Sequence, residues 1–305
     1  MNKKHIENTL FLGNGFSQTI FKDIPSWDGL FTGVSVPIKN NTFLYEAYRL
    51  LADNAHSEEA VIKNQLLAKI NVPFSETSIR DEISDLEKFG SHLIHNNINN
   101  IITTNYDTGI EFILGRCGYS EEKASGLTPE RVYNIRTFKV YYNANTQHRV
   151  KLWKIHGDVD RIASITLGFD QYCGSLAKLT DYIKGNYNSS QNAESAKCDK
   201  HMQDKCNNGS FDGLSWAELF FNTNLYIVGF GMNFSEIDIW WLINKRARFK
   251  IDGVKINNTI TYIYNPLFED RATKPALFAT LDAFDVSCKP LKGNASYIEE
   301  IFSNI

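Results

Sequence analysis

Thr9-Leu10-Phe11-Leu12-Gly13-Asn14-Gly15-Phe16-Ser17 is the stretch on which the reading of this chain turns: an apolar run that stops at a Gly-x-Gly turn. A strand ending this way lets the backbone bend sharply and approach an anion without interference from a Cβ, and the helix that follows offers N–H groups at its start. Three later segments have the same form. Ile101-Ile102-Thr103-Thr104-Asn105-Tyr106-Asp107, Leu152-Trp153-Lys154-Ile155-His156-Gly157-Asp158 and Leu225-Tyr226-Ile227-Val228-Gly229-Phe230-Gly231 are hydrophobic runs that break into polar or glycine residues. In an open parallel sheet the carboxyl ends of such strands share one edge, so Asn105, Asp107, His156 and the glycines are expected to converge on one ligand.

Outward from these blocks, short β-rich runs alternate with helical stretches. Strands are expected at 9–12, 100–103, 138–142, 150–155, 225–228, 259–264 and 283–286, and helices at 42–53, 57–70, 78–96, 108–115, 171–184, 214–222, 235–248 and 294–303. Continuous apolar strands such as 225–228 fit burial on both faces. The fold expected is α/β, one doubly wound, mainly parallel sheet over residues 1–305, with a helical lobe inserted at about 38–98. Residues 185–213 are polar and poor in aliphatics, and are expected to form a loop that gates the ligand edge.

Composition narrows the function classes. The 305 residues are 43% hydrophobic with a formal net charge of −3, which gives no general attraction to nucleic acid. No stretch approaches the roughly 18–20 uninterrupted apolar residues of a membrane span, and the basic start Met1-Asn2-Lys3-Lys4-His5 leads into no signal core. Five cysteines at irregular spacing read as reduced thiols, so a cytoplasmic protein without membrane or nucleic-acid partners is expected. Lys245-Arg246-Ala247-Arg248-Phe249-Lys250, the one basic cluster, reads as cations in a last helical turn. Gly-Lys-Ser/Thr and Gly-x-Ser-x-Gly runs are absent, which removes P-loop and serine-elbow chemistry. Gln18 stands where the dinucleotide fingerprint of dehydrogenases has its third glycine.

Taken in order, Gly13-Asn14-Gly15-Phe16-Ser17 with Ile24-Pro25-Ser26-Trp27, Thr103-Thr104-Asn105-Tyr106-Asp107, Lys154-Ile155-His156-Gly157-Asp158 and Val228-Gly229-Phe230-Gly231 resemble the blocks of the sirtuin-like superfamily. Sirtuins carry a Gly-Ala-Gly-x-Ser turn, a Thr-Gln-Asn-Ile-Asp block and a His-Gly pair. Ser235-Glu236-Ile237-Asp238-Ile239-Trp240-Trp241 is similar to the divergent bacterial branch, many of whose members destroy NAD in antiviral defence. The resemblance implies a Rossmann-like sheet, NAD as substrate rather than resident cofactor, and a homo-oligomer or a separate regulatory partner.

It also implies roles. Asn105 would hold the ribose or the attacking water, and Asp107 would bind the nicotinamide amide or stabilise charge at C1′; Asp107 is equally suited to cap the helix expected from Thr108. His156 would serve as base. Gly13, Asn14, Gly15, Ser17, Thr104, Gly229, Phe230 and Gly231 would line the substrate, with Phe16 and Trp27 walling the nicotinamide. Classical deacetylases insert a four-cysteine zinc module, whereas Cys198-x-x-His201 with Cys206 gives only three ligands, so no metal is expected. The expected activity is NAD hydrolysis to nicotinamide and ADP-ribose in antiphage defence, ahead of an NAD-dependent protein deacylase or a silent nucleotide-binding subunit.

Overall fold

The computed structural model describes residues 6–30, 45–46, 50, 59–71, 73–122, 130, 132–188 and 197–305. Its centre is an eight-stranded sheet built from β1 (Asn8–Leu12), β2 (Ile98–Thr103), β3 (Ser120–Glu122), β4 (Lys139–Asn143), β5 (His148–Lys154), β8 (Asn224–Val228), β9 (Ile260–Tyr264) and β10 (Val286–Pro290). A separate two-stranded hairpin, β6 (Tyr187–Asn188) and β7 (Lys197–Cys198), comes between β5 and β8 in the chain. The sheet order is β10-β9-β8-β1-β2-β5-β4-β3. Six neighbours from β10 to β5 run parallel, and β4 and β3 extend the edge antiparallel. The chain winds from β1 through β2 to β5, then returns to lay β8 on the other side of β1 and continues outward. That is the doubly wound, Rossmann-like order, and its switch point lies between β1 and β8.

Side-chain alternation explains why the sheet is covered on both faces. Phe11, Ile102, Trp153, Leu225, Ile227 and Tyr262 point to one side, where they meet helices Phe169–Ile183, Trp216–Asn222, Ile237–Ile251 and Pro275–Ala283. Leu10, Leu12, Ile101, Leu152, Val228 and Ile263 point to the other, against helices Asn14–Ile20, Phe89–His95, Gly109–Arg116 and Tyr297–Phe302. With period two and both faces apolar, these strands have no solvent side.

Several expectations change. The segment 78–96 is helical only from Phe89 to His95, preceded by short 3-10 turns at Glu76–Ser78 and Leu86–Lys88. The expected helix 42–53 lies almost wholly outside the described residues. Helix Glu59–Leu67 is present, and its Leu66 and Leu67 pack with Ile70 onto Tyr106, Val159 and Leu167 above the carboxyl edge of β2 and β5. Of residues 283–286, read as strand, Ala283 ends a helix begun by Pro275, Phe284 caps it, and β10 starts only at Val286. Among the described residues no helix is long and apolar enough to cross a membrane.

The expected loop at 185–213 is overturned in its later part. Residues Met202–Asn208 form a helix whose Met202 and Cys206, one turn apart, are buried. Between them Lys205, 2% exposed, donates to Glu218, 0% exposed, at 2.5 Å. Polar composition misled here because part of the burial is supplied by an ion pair. Nor does that helix stand at the ligand edge. Asn207 accepts from the Lys255 N–H, just before β9 begins, which puts it at the amino-terminal edge of the sheet.

Lys205→Met should therefore destabilise the fold by about 3–5 kcal/mol, since it strands Glu218 in the core, and the double change Lys205→Met with Glu218→Leu should recover most of that loss. Urea unfolding of the three proteins checks this. A Lys205→Met midpoint equal to the parent's would refute it, and replacing 187–209 by a Gly/Ser linker should yield unfolded protein rather than an ungated one.

Candidate active site

β1 and β2 are tied where they stop. The Thr103 hydroxyl donates to the Leu12 carbonyl at 2.8 Å and accepts from the Asn105 N–H at 3.0 Å. This turns the Asn105 side chain toward the loop after β1, where Nδ2 donates to the Ser17 hydroxyl at 2.8 Å and lies 3.5 Å from the Gly13 carbonyl. A carbonyl only accepts, so the amide has one orientation and Oδ1 faces away from the loop. Among the described residues, that buried oxygen has no donor. Such an atom costs about 1–3 kcal/mol until something donates to it.

Asn105 lines a narrow cleft of about 40 Å³ with Asn14, Pro25, Leu30, Ile70, Thr104 and Asp107, room for a few water molecules. Asn14 closes one wall by donating to the Pro25 carbonyl at 3.1 Å. Asp107 accepts from the Gly109 N–H at 2.8 Å, so the helix-capping reading is realised while the residue also borders the cleft. Burial raises its carboxyl above the ordinary range, against the pull of Lys154. Lys154 holds the loop itself: its ammonium donates to the Asp107 carbonyl at 2.6 Å, Glu111 at 2.9 Å and Asp158 at 3.1 Å.

Across the Gly13–Gly15 turn lies a second, wider cleft of about 860 Å³, bounded by Gly15, Thr19, Gly229, Gly231, Tyr264, Asn265 and Tyr297. The turn is thus a ridge between two cavities at the switch point. It is pinched by backbone alone, Gly13 N–H to Val228 carbonyl at 2.9 Å and Gly15 N–H to Gly229 carbonyl at 2.7 Å. A Cβ on Gly13 would sit 2.5 Å from the Gly229 oxygen, one on Gly15 2.8 Å from the same atom, and one on Gly229 2.2 Å from the Phe16 nitrogen. These glycines serve loop-on-loop packing, which corrects the expectation that their bareness is chiefly for the ligand. Gly231 differs, for a Cβ there meets only a Glu269 oxygen at 3.9 Å.

One aromatic assignment also changes. Phe16 is fully buried between Phe89 and Tyr297, with ring centroids 6.0 Å away in each case, and lines neither cleft. Phe230 packs on Phe11 at 4.9 Å and also borders the wide cleft. The side chain of Trp27 lies outside the described residues. Ser17, also fully buried, acts by receiving the Asn105 amide.

His156 lines neither cleft. It is 1% exposed, its Nε2 3.0 Å from Asp238 and its Nδ1 3.7 Å from Glu236 and 3.4 Å from the Tyr172 hydroxyl. Burial disfavours the charged ring, but Asp238 and then Glu236 outweigh it and raise the imidazole above its ordinary value. Burial likewise pushes the Glu236 carboxyl to about 7, against the pull of His156. The ring is buried and tied to Asp238 away from both clefts, which corrects the reading of His156 as a free base. These three residues are the group among those described whose ligand atoms lie within 4.8 Å of one another, yet the carboxylates approach opposite nitrogens, the geometry of an ion-pair chain rather than of a shared metal. His156 still reaches the Asn105 loop: its carbonyl accepts from Thr166 N–H at 2.8 Å, and the Thr166 carbonyl accepts from the Tyr106 hydroxyl at 2.6 Å.

Residues 99–248 match the family model described as a SIR2-like domain. The match supports a sirtuin-like superfamily assignment. The matched span holds Asn105, Asp107, His156, Gly229, Glu236 and Asp238, while the Gly13–Ser17 turn that pins Asn105 lies before it. No curated protein matches the chain. Sequence reasoning quoted Glu236 and Asp238 without giving them work, although two acids at the start of an otherwise apolar helix were a signal. Tyr172 carried none.

Gly229→Ala should destabilise the fold by on the order of 3 kcal/mol, from contact with Phe16 and the strain of a side chain at φ +62°. Gly231→Ala should stay within about 0.5 kcal/mol of the parent. Equal unfolding midpoints for the two variants would remove the pinch from the account.

Stability should fall as pH rises from about 5 to 8. His156 has a raised folded value, so its contribution is full below its ordinary 6.5 and is lost as pH climbs through the folded value; Glu236 takes up a proton on folding between 4.5 and about 7, with the same sign. Urea midpoints across that range check this, and a flat profile, or a profile unchanged in His156→Gln, would contradict it.

Proposed function

We propose that this chain hydrolyses NAD, releasing nicotinamide and ADP-ribose. The observation that carries the reading is the buried Asn105 oxygen, without a donor among the described residues and held at a cleft that Asp107 also borders. Breaking the nicotinamide–ribose bond passes through an oxocarbenium-like centre, whose water nucleophile needs a positioned acceptor more than a strong base. Asn105 supplies that acceptor for the water or a ribose hydroxyl, and its preset orientation removes the reorganisation that a free amide would need. Asp107 offers negative charge near the developing cation. His156, paired with Asp238, acts as a positioning residue through Thr166 and Tyr106.

In this reading the adenosine half lies in the wide cleft, the pyrophosphate crosses the Gly13–Gly15 ridge, and the nicotinamide riboside enters the narrow cleft by parting the wall at Pro25, Leu30 and Ile70. Depletion of NAD in an infected bacterial cytoplasm is the antiphage role that goes with such a hydrolase.

Asn105→Ala should reduce nicotinamide release by about a hundredfold or more with an unchanged unfolding midpoint. Gly231→Leu, tolerated by the fold, should raise KM for NAD by narrowing the wide cleft. Chromatography of products from purified protein and NAD, without any acylated peptide, checks both. Release that requires an acylated peptide would favour a deacylase, and full turnover by folded Asn105→Ala would end the proposed mechanism. Loss of phage resistance on Asn105→Ala in an expressing bacterium is the expected cellular result.

A further inference from the structure

Far from the glycine ridge, Lys184, Lys245 and Arg248 border a polar cavity of about 330 Å³ together with His201, Gln203 and Asp252. Among the described residues, none of these three cations forms an ion pair. Lys245 rests on aromatic faces, 5.3 Å from the Trp241 centroid and 5.7 Å from that of Phe249. Three cations against one carboxylate is a marked local excess in a chain whose net charge is −3. Cations near helix carboxyl ends are ordinary, and Lys184 and Arg248 fit that description. Lys245 does not: it precedes the last turn of Ile237–Ile251, yet it borders the same cavity as the Lys184 that follows Phe169–Ile183.

These two helices also hold the other end of the molecule together. Tyr172, in the first turn of Phe169–Ile183, and Asp238, in the first turn of Ile237–Ile251, both engage His156. The cavity therefore sits between the far ends of the two rods whose near ends grip that ring, some ~22 Å away for 15 residues of helix. A multiply charged anion bridging Lys184 to Lys245 and Arg248 would offset their mutual repulsion and clamp the helices relative to one another.

We propose that this cavity is an effector site for a phosphorylated small molecule, and that its occupation is transmitted along the two helices to His156. The volume is at the small end of ligand pockets, suited to a polyphosphate group with little else. The site shares no residue with the two clefts at the ridge, so it stands whether or not NAD is the substrate.

The test uses the full chain labelled with ¹⁵N-histidine. Inorganic tripolyphosphate is titrated by calorimetry and followed through the histidine ring resonances, with His156 assigned from His156→Gln and His201 from His201→Gln. Saturable binding is expected, weakened at least about tenfold in the exposed double variant Lys184→Gln with Arg248→Gln, with the His201 ring moving by contact and the His156 ring moving by transmission. Absence of saturable binding, or binding unaffected by the double variant, overturns the site. Movement of His201 alone overturns the transmission. A parallel titration with ADP-ribose distinguishes the source of the phosphate: tighter binding than tripolyphosphate assigns a nucleotide, weaker binding an inorganic polyphosphate, and either supports the site once the double variant abolishes it.

Discussion

Everything at the carboxyl edge of the sheet depends on one backbone contact, the Gly13–Gly15 turn pressed against Gly229. Two N–H groups and two carbonyls hold it, and no side chain fits between. The contact fixes the start of helix Asn14–Ile20, which fixes Ser17, which fixes the Asn105 amide. A polar group that a ligand must use is thus oriented by strand ends and glycines, elements far stiffer than a surface loop.

The histidine beneath the site follows another logic. Burying an imidazole, two carboxylates and a phenol in one place is unfavourable unless each is paired. Here Asp238 and Glu236 take the two ring nitrogens, Tyr172 donates to Glu236, and the Ile239 N–H binds the remaining Asp238 oxygen. The cluster joins the first turns of two helices to the His156-Gly157 turn. Gly157, at φ +116° and packed on the Ile165 backbone, makes that turn possible.

Much of the sheet was legible because its signal is local. Leu225 to Val228 and Ile101 to Ile102 are apolar with no polar alternate, and that pattern has few meanings besides a parallel strand buried on both faces. Asn105 and Asp107 were legible for a related reason, since polar residues ending such strands must meet at one edge. The roles of Phe16 and His156 were not, because burial depends on partners distant in the chain: Phe89 and Tyr297 for one, Asp238 for the other. Likewise Met202 and Cys206 spaced one turn apart hinted at a helix face, but only Glu218 explains why Lys205 is buried between them.

The position of β1 has a consequence for how the chain is made. It comes first in chain order among the strands of the sheet and is one of the innermost, with β2 on one side and β8 on the other. Its second edge has no partner until Asn224–Val228 has been synthesised, about 200 residues later, which at ribosomal speeds is on the order of 10–40 s. During that interval Leu10, Phe11 and Leu12 flank an open, apolar strand edge, the kind of surface that recruits foreign strands. The segment 99–248 shares the difficulty, because without β1 it leaves β2 and β8 facing one another across a missing strand. The nascent chain is therefore most exposed to misassembly before its fourth parallel strand, β8, emerges.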